Sequence, residues 1–89
     1  MDFTVIARAG CTQAEFGGLV GVSRVTVNGW VRGRIAPHRF ITAAVAEILV
    51  CLKSAIKHGH LPLKPGEPHR AREIRGAIEA AASRAKAAG

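Results

Sequence analysis

The stretch Thr12–Arg34, TQAEFGGLVGVSRVTVNGWVRGR, constrains the fold more than any other part of the chain. It contains two short segments in which apolar residues recur at helical spacing, and Gly21 lies between them. Phe16, Leu19, Val20, Val22, Val27 and Trp30 are all expected to point inward. Two helices this short cannot stand alone in water. They must lock against each other and against a further helical layer. The boundaries are signposted. T-Q-A-E is a capping box, in which the Thr12 hydroxyl accepts from a first-turn N–H and Glu15 reaches back, so a helix is predicted from Thr12 to about Val20. Gly21 supplies the positive φ of a tight turn. Ser23 caps a following helix that runs to about Val31, and Gly33 closes it.

The rest of the chain also reads as helix. Asp2 to Ala9 predicts a short first helix with Phe3, Ile6 and Ala7 inward, ended by Gly10. Arg34–Pro37 is a linker, and Pro37 suits the first turn of a long helix that continues to about Lys57. At about 100° per residue, Phe40, Ile41, Ala44, Val45, Ile48, Leu49, Cys51, Leu52, Ala55 and Ile56 cover roughly half of its circumference, with Arg39, Lys53, Lys57 and Val50 opposite. That is more apolar surface than one small core needs, and the surplus is read as a surface for a second copy. His58–His69, with three prolines and two glycines, is a loop. A last helix is predicted from about Pro68 to Ala88, with an inner stripe of Ala71, Ile74, Ala77, Ile78, Ala81 and Ala85. Only the two isoleucines are large, so weak docking is expected. The expectation is an all-α, single-domain chain over residues 1–89 with about five helices: a helix-turn-helix at 12–32, a long apolar helix at 37–57 and a C-terminal helix at 68–88.

Composition excludes several classes. A chain of 89 residues builds one small core. Its longest apolar run, Ile41–Leu52, is interrupted by Thr42 and Glu47 and falls short of the ~18 residues of a membrane span. The opening MDFTVIARAG has no basic n-region, so no signal peptide is expected. Two cysteines, Cys11 and Cys51, make no disulfide framework, and unpaired thiols suggest a reducing, cytoplasmic setting. The net charge of +7 is spread along the chain: +2 over residues 1–35, +2 over 36–63 and +3 over 64–89. The excess is thus not confined to a tail. It suits a partner made of phosphates, though charge alone is weak evidence.

The motif itself resembles a known family. T-Q-x-E-F from Thr12, L-V-G-V-S-R-x-T-V from Leu19 and W-x-x-G from Trp30 are similar to the helix-turn-helix of the phage Cro and CI repressor family. The strong likeness covers about a quarter of the chain, and the helical organisation extends it more loosely to residue 57. The resemblance implies a lambda-repressor-like DNA-binding fold that places the helix after Ser23 in the major groove, N-terminal end forward. Gln13 resembles the phosphate-clamping glutamine of that family, at a helix N-terminus that itself favours phosphate. Arg24 is the best base reader, able to take guanine O6 and N7 together, and Asn28, one turn on, is suited to adenine N6 and N7. Val25 suits a thymine methyl, Ser23 and Thr26 offer short hydroxyls, and Arg32 and Arg34 are expected against the DNA backbone. Two residues depart from the family pattern. Gly17 stands where alanine is usual, and Gly29 where a longer polar side chain is common. The second departure removes one base contact.

Other features are quieter. Trp30, at helical spacing from Val27, is expected in the core and not as an exposed stacking residue. His58 and His60 form H-x-H in a loop, but no further ligands accompany them, so no metal or other cofactor is expected. Arg70, Arg72 and Arg75 read equally as a solvated helix start or as a second phosphate contact. Glu47 reads as a surface or ion-paired residue. No catalytic constellation appears, and the chain is not expected to be an enzyme. The combined expectation is a transcriptional repressor of phage or mobile-element type that binds double-stranded, palindromic operator DNA as a homodimer. The alternative is an antitoxin-like or regulatory adaptor that binds another protein through residues 58–89, with the helix-turn-helix serving autoregulation.

Overall fold

The computed structural model describes residues 1–88, so the assignment of Gly89 to the domain lies outside the described residues. The fold is all-α, with five helices: α1 (Thr4–Arg8), α2 (Gln13–Val20), α3 (Arg24–Val31), α4 (Thr42–Lys57) and α5 (Arg70–Ala88). The long α4 is the centre of the molecule. It packs against α1, α2 and α5, while α2 and α3 pack against each other. Val5, Ile6 and Ala9 from the first layer, Phe16, Val27 and Trp30 from the helix pair, Val45, Leu49, Leu52 and Ala55 from α4, and Ile74 and Ala77 from α5 meet in one core.

The helix-turn-helix forms as the sequence predicts. The Thr12 hydroxyl accepts from the Glu15 N–H at 3.0 Å, and the Glu15 carboxylate accepts from the Thr12 N–H at 2.9 Å, which completes the capping box. Gly21 ends α2 at φ 92°, and its N–H and that of Val22 both donate to the Gly17 carbonyl. The turn therefore satisfies the end of the helix without an intervening loop. The Ser23 hydroxyl accepts from the Thr26 N–H at 3.2 Å and starts α3. Phe16, Val27 and Trp30 are buried, and Leu19, Val20 and Val22 are partly buried against them. Trp30 stacks on Phe3, with ring centroids 5.9 Å apart, which fastens the end of α3 to the chain before α1.

Gly17 is required and not merely tolerated. A Cβ built there would lie 2.6 Å from the Val22 carbonyl oxygen, so α2 meets the start of the next segment more closely than alanine permits. Alanine and glycine are not equivalent at this crossing, contrary to what their similar sizes suggest.

Three boundaries and faces differ from expectation. In α1 it is Val5, not Ala7, that joins Ile6 in the core, and Ala7 is exposed. Ala9, which caps the helix, is buried with Val5 and Ile6. The long helix begins at Thr42, five residues after Pro37. The intervening residues form a turn in which the His38 carbonyl accepts from the Ile41 N–H and the Thr42 hydroxyl, and His38 Nδ1 accepts from the Phe40 N–H. Phe40 is thereby thrown outward, 78% exposed, with the Arg39 guanidinium 4.9 Å from its ring centre. Finally, α5 begins at Arg70, two residues after Pro68, and it is firmly docked.

That docking absorbs most of the apolar surplus of α4. Ile74, Ala77 and Ala81 are buried, Ile78 is partly so, and Ala71 and Ala85 of the anticipated stripe are exposed. The small alanines do not weaken the contact. They let α5 approach α4 so that Cys51, Leu52 and Ala55 are covered within the single chain. Arg84 donates to the Ser54 hydroxyl at 3.2 Å across the same seam. No helix among the described residues is long and apolar enough to cross a membrane.

Candidate nucleic-acid interface

The outer face of α3 and the segment after it carry most of the candidate residues together. Arg24, Val25, Arg32 and Arg34 are exposed, and Val25, at 69%, is among the most exposed large apolar residues of the chain. Gln13, Thr26 and Asn28 are half-buried. Gln13 opens α2 and Asn28 lies midway along α3, so the helix pair brings residues fifteen apart in sequence to within hydrogen-bonding distance.

The electrostatics of this face are one-sided. Between Glu15 and Glu47 the chain has four arginines and no carboxylate. The salt bridges among the described residues are Arg8–Asp2 and Arg70–Glu15, so Arg24, Arg32, Arg34 and Arg39 have no carboxylate partner there. This acid-free interval is a sequence signal that charge counting by thirds of the chain does not pick up. Positive charge lies exposed where α3 is exposed, and no internal anion offsets it.

Three polar side chains form a relay across the face. Arg34 Nη2 donates to Asn28 Oδ1 at 2.8 Å, and Asn28 Nδ2 donates to Gln13 Oε1 at 3.1 Å. The chemistry fixes the directions. A guanidinium only donates, so the Asn28 oxygen faces Arg34, its nitrogen faces Gln13, and Gln13 presents its oxygen inward. The Gln13 amide nitrogen is left to donate outward, beside the N-terminus of α2, where a phosphate would be favoured. Arg34 is therefore held on α3 in this structure, which differs from a residue free to follow the DNA backbone.

Gly29 shows why. Its missing side chain does not leave a vacancy toward solvent, because a Cβ there would lie 2.7 Å from Ile35 Cγ1 and 2.9 Å from Ile35 Cδ1. Ile35 fills the place, and the N–H groups of Arg34 (2.9 Å) and Ile35 (3.4 Å) both point at the Gly29 carbonyl. The segment after Gly33 thus folds back along α3. Besides offering no side chain for a base contact, Gly29 accepts Ile35 against α3, next to the residue whose guanidinium reaches Asn28.

Ser23 and Thr26 are partly committed. Besides capping α3, the Ser23 hydroxyl lies 3.1 Å from that of Thr26, so one of the two hydroxyls donates to the other. Arg24 makes no side-chain hydrogen bond among the described residues and projects from the first turn of α3.

The basic cluster at the start of α5 divides. Arg70 is neither a solvated cation nor a spare phosphate contact. Its Nε and Nη2 take the two Glu15 oxygens at 2.9 Å each, and Nη2 also donates to the Gly10 carbonyl at 2.7 Å. This fork clamps α5 to the capping box that starts α2. The Glu15 carboxyl is held below its usual range, first by the hydrogen bond from Arg70 and, against some desolvation, by the Thr12 N–H. Arg72 and Arg75 remain exposed.

No group of three or more metal-ligating side chains is assembled among the described residues. Cys11 and Cys51 are free and buried. Burial pushes the Cys11 thiol up to about 11, and that of Cys51 up as well. The chain matches no protein-family model, no curated protein and no solved structure.

Proposed function

We propose that this protein is a sequence-specific DNA-binding transcriptional repressor of phage or mobile-element type. In this reading α3 enters the major groove of a palindromic operator. The observation that carries it is the exposed, acid-free face of α3, on which Arg24, Arg32 and Arg34 stand without carboxylate partners beside the Gln13–Asn28–Arg34 relay. Such an arrangement has no evident use within the monomer, since it adds charge without burial, but it suits a duplex. Arg24 reads a base edge, Val25 touches a thymine methyl, Ser23 and Thr26 offer their shared hydroxyl pair, the Gln13 amide donates to a phosphate, and Arg32 lies along the backbone.

A single α3 of eight residues reads few bases. Two copies on a two-fold site double the contacts, with half-sites about one turn (~34 Å) apart. Repression follows from occupancy of a site that overlaps a promoter, in the cytoplasm of the host cell.

The test is selection of the purified protein on a random DNA pool at near-physiological salt, followed by sedimentation of the complex. An enriched palindrome bound by two chains is expected. Salt-sensitive binding with no enriched sequence overturns the reading of specific recognition, and one chain per enriched site overturns the dimer.

A further inference from the structure

We propose that Arg34, which lies beyond the end of the recognition helix, reads a guanine, and that Asn28 is the residue that positions it. This deepens the DNA-binding reading above and rests on it.

Three observations converge. First, Asn28 is already occupied. Its oxygen holds Arg34 and its nitrogen holds Gln13, whereas bidentate pairing with adenine needs both atoms on one base edge. Second, Arg34 is aimed. One guanidinium nitrogen is anchored on Asn28 at 2.8 Å, the side chain is exposed, and no carboxylate claims its remaining donors. A fork fixed at one corner presents its other N–H groups in a set direction. That is what guanine O6 and N7 require and what a diffuse phosphate contact does not. Third, the backbone is shaped to bring it there. Gly29 admits Ile35 against α3 and accepts from the Arg34 N–H, so the segment after Gly33 lies along the helix without being part of it. A side chain at position 29 would meet the Ile35 side chain, which lies where its Cβ would go. The base contact that α3 forgoes at position 29 is supplied by Arg34 from the segment that follows the helix. Arg24 and Asn28 are one helical turn apart, ~6 Å along α3, so Arg34 reads a different base pair from Arg24.

The experiment is the random-pool selection repeated on the full chain with R34A, R34K, N28A and R24A, with binding measured to the enriched site and to each single-base variant of it. Circular dichroism confirms the fold of each protein. The expected result is that R34A and N28A flatten preference at one and the same guanine by about tenfold or more, while R24A flattens another position. R34K keeps the charge but not the fork. It is expected to retain binding to non-specific DNA within about twofold and still lose the guanine preference. Even weakening of all sequences by R34A overturns the proposal and returns Arg34 to the phosphates. Loss of a different base position with N28A overturns the positioning role and makes Asn28 a reader itself. If the wild-type chain enriches no sequence at all, the DNA reading fails and this inference falls with it.

Discussion

At the scale of single residues, neighbours of the same type carry opposite consequences. Gly17 and Gly18 both sit inside α2, where glycine costs up to about 1 kcal/mol relative to alanine. A Cβ at Gly18 meets nothing within 4 Å, whereas one at Gly17 lies 2.6 Å from a backbone carbonyl that cannot swing away. Gly18→Ala is therefore expected to stabilise by about 0.5–1 kcal/mol, and Gly17→Ala to destabilise by about 1–2 kcal/mol once the gain in helix propensity is set against overpacking. Denaturant unfolding of both variants checks this, and a stabilised Gly17→Ala would show that the crossing can relax. The Arg70–Glu15 fork gives a second prediction. Because the folded carboxyl titrates below the usual glutamate range, the stabilisation is complete above that range and is lost as pH falls through the folded pKa. Arg70 is more than one-third exposed, so solvent screens the pair and keeps its contribution small. Glu15→Gln should lower the melting temperature at pH 7 and narrow its difference from the parent chain at pH 3. A constant difference across that range would show that Glu15 acts as a cap alone.

At the scale of helices, α5 differs most from expectation. A stripe of alanines suggests a loosely held segment, available to a partner. Yet α5 covers α4 and anchors its first residue on α2, so the C-terminal helix belongs to the core that holds the helix-turn-helix in place. Ile74 is its main anchor, 2% exposed. Ile74→Ala is expected to cost about 2–4 kcal/mol, a large share of the stability of a domain this small. Gly76→Ala, on the open side of the same helix with nothing near the new Cβ, should add about 0.5–1 kcal/mol. Thermal melts of the two variants separate a docked helix from a free one. If Ile74→Ala leaves the melt unchanged, α5 is not part of the cooperative unit. The same logic governs truncation: removing α5 strips its cover from α4, so loss of the proposed DNA binding in such a variant would report unfolding and not a missing contact.

At the scale of the whole molecule, one core with a Cα radius of gyration of 12.6 Å unites all five helices, and both cysteines lie within that fold. With Cys11 held protonated at neutral pH and both thiols covered, neither is a ready nucleophile. An aromatic disulfide reagent at pH 7.5 is expected to label both thiols at the rate of global unfolding, in step with loss of helical signal. Fast labelling of one thiol in the native protein would reveal a local opening smaller than the whole domain.

Much of the architecture was legible in the residues themselves. The capping box at Thr12 and Glu15, the turn at Gly21, the cap at Ser23 and the inward set of Phe16, Val27 and Trp30 are local signals, set by interactions three or four residues apart, and each appears where the sequence places it. The start of α4 was misplaced because Pro37 is compatible with a helix start but does not compel one, and hydrogen bonds to His38 favoured a turn instead. What the sequence could not reveal depends on contacts between distant segments. Arg70 finds Glu15 across fifty-five positions, Asn28 finds Gln13 across fifteen, and Ile35 takes the space over Gly29. Local spacing specifies which face a helix turns inward, since that follows from backbone geometry alone. Which polar side chains are spent inside the fold and which remain free for a ligand is decided only when the helices pack, because a hydrogen bond needs both partners in place.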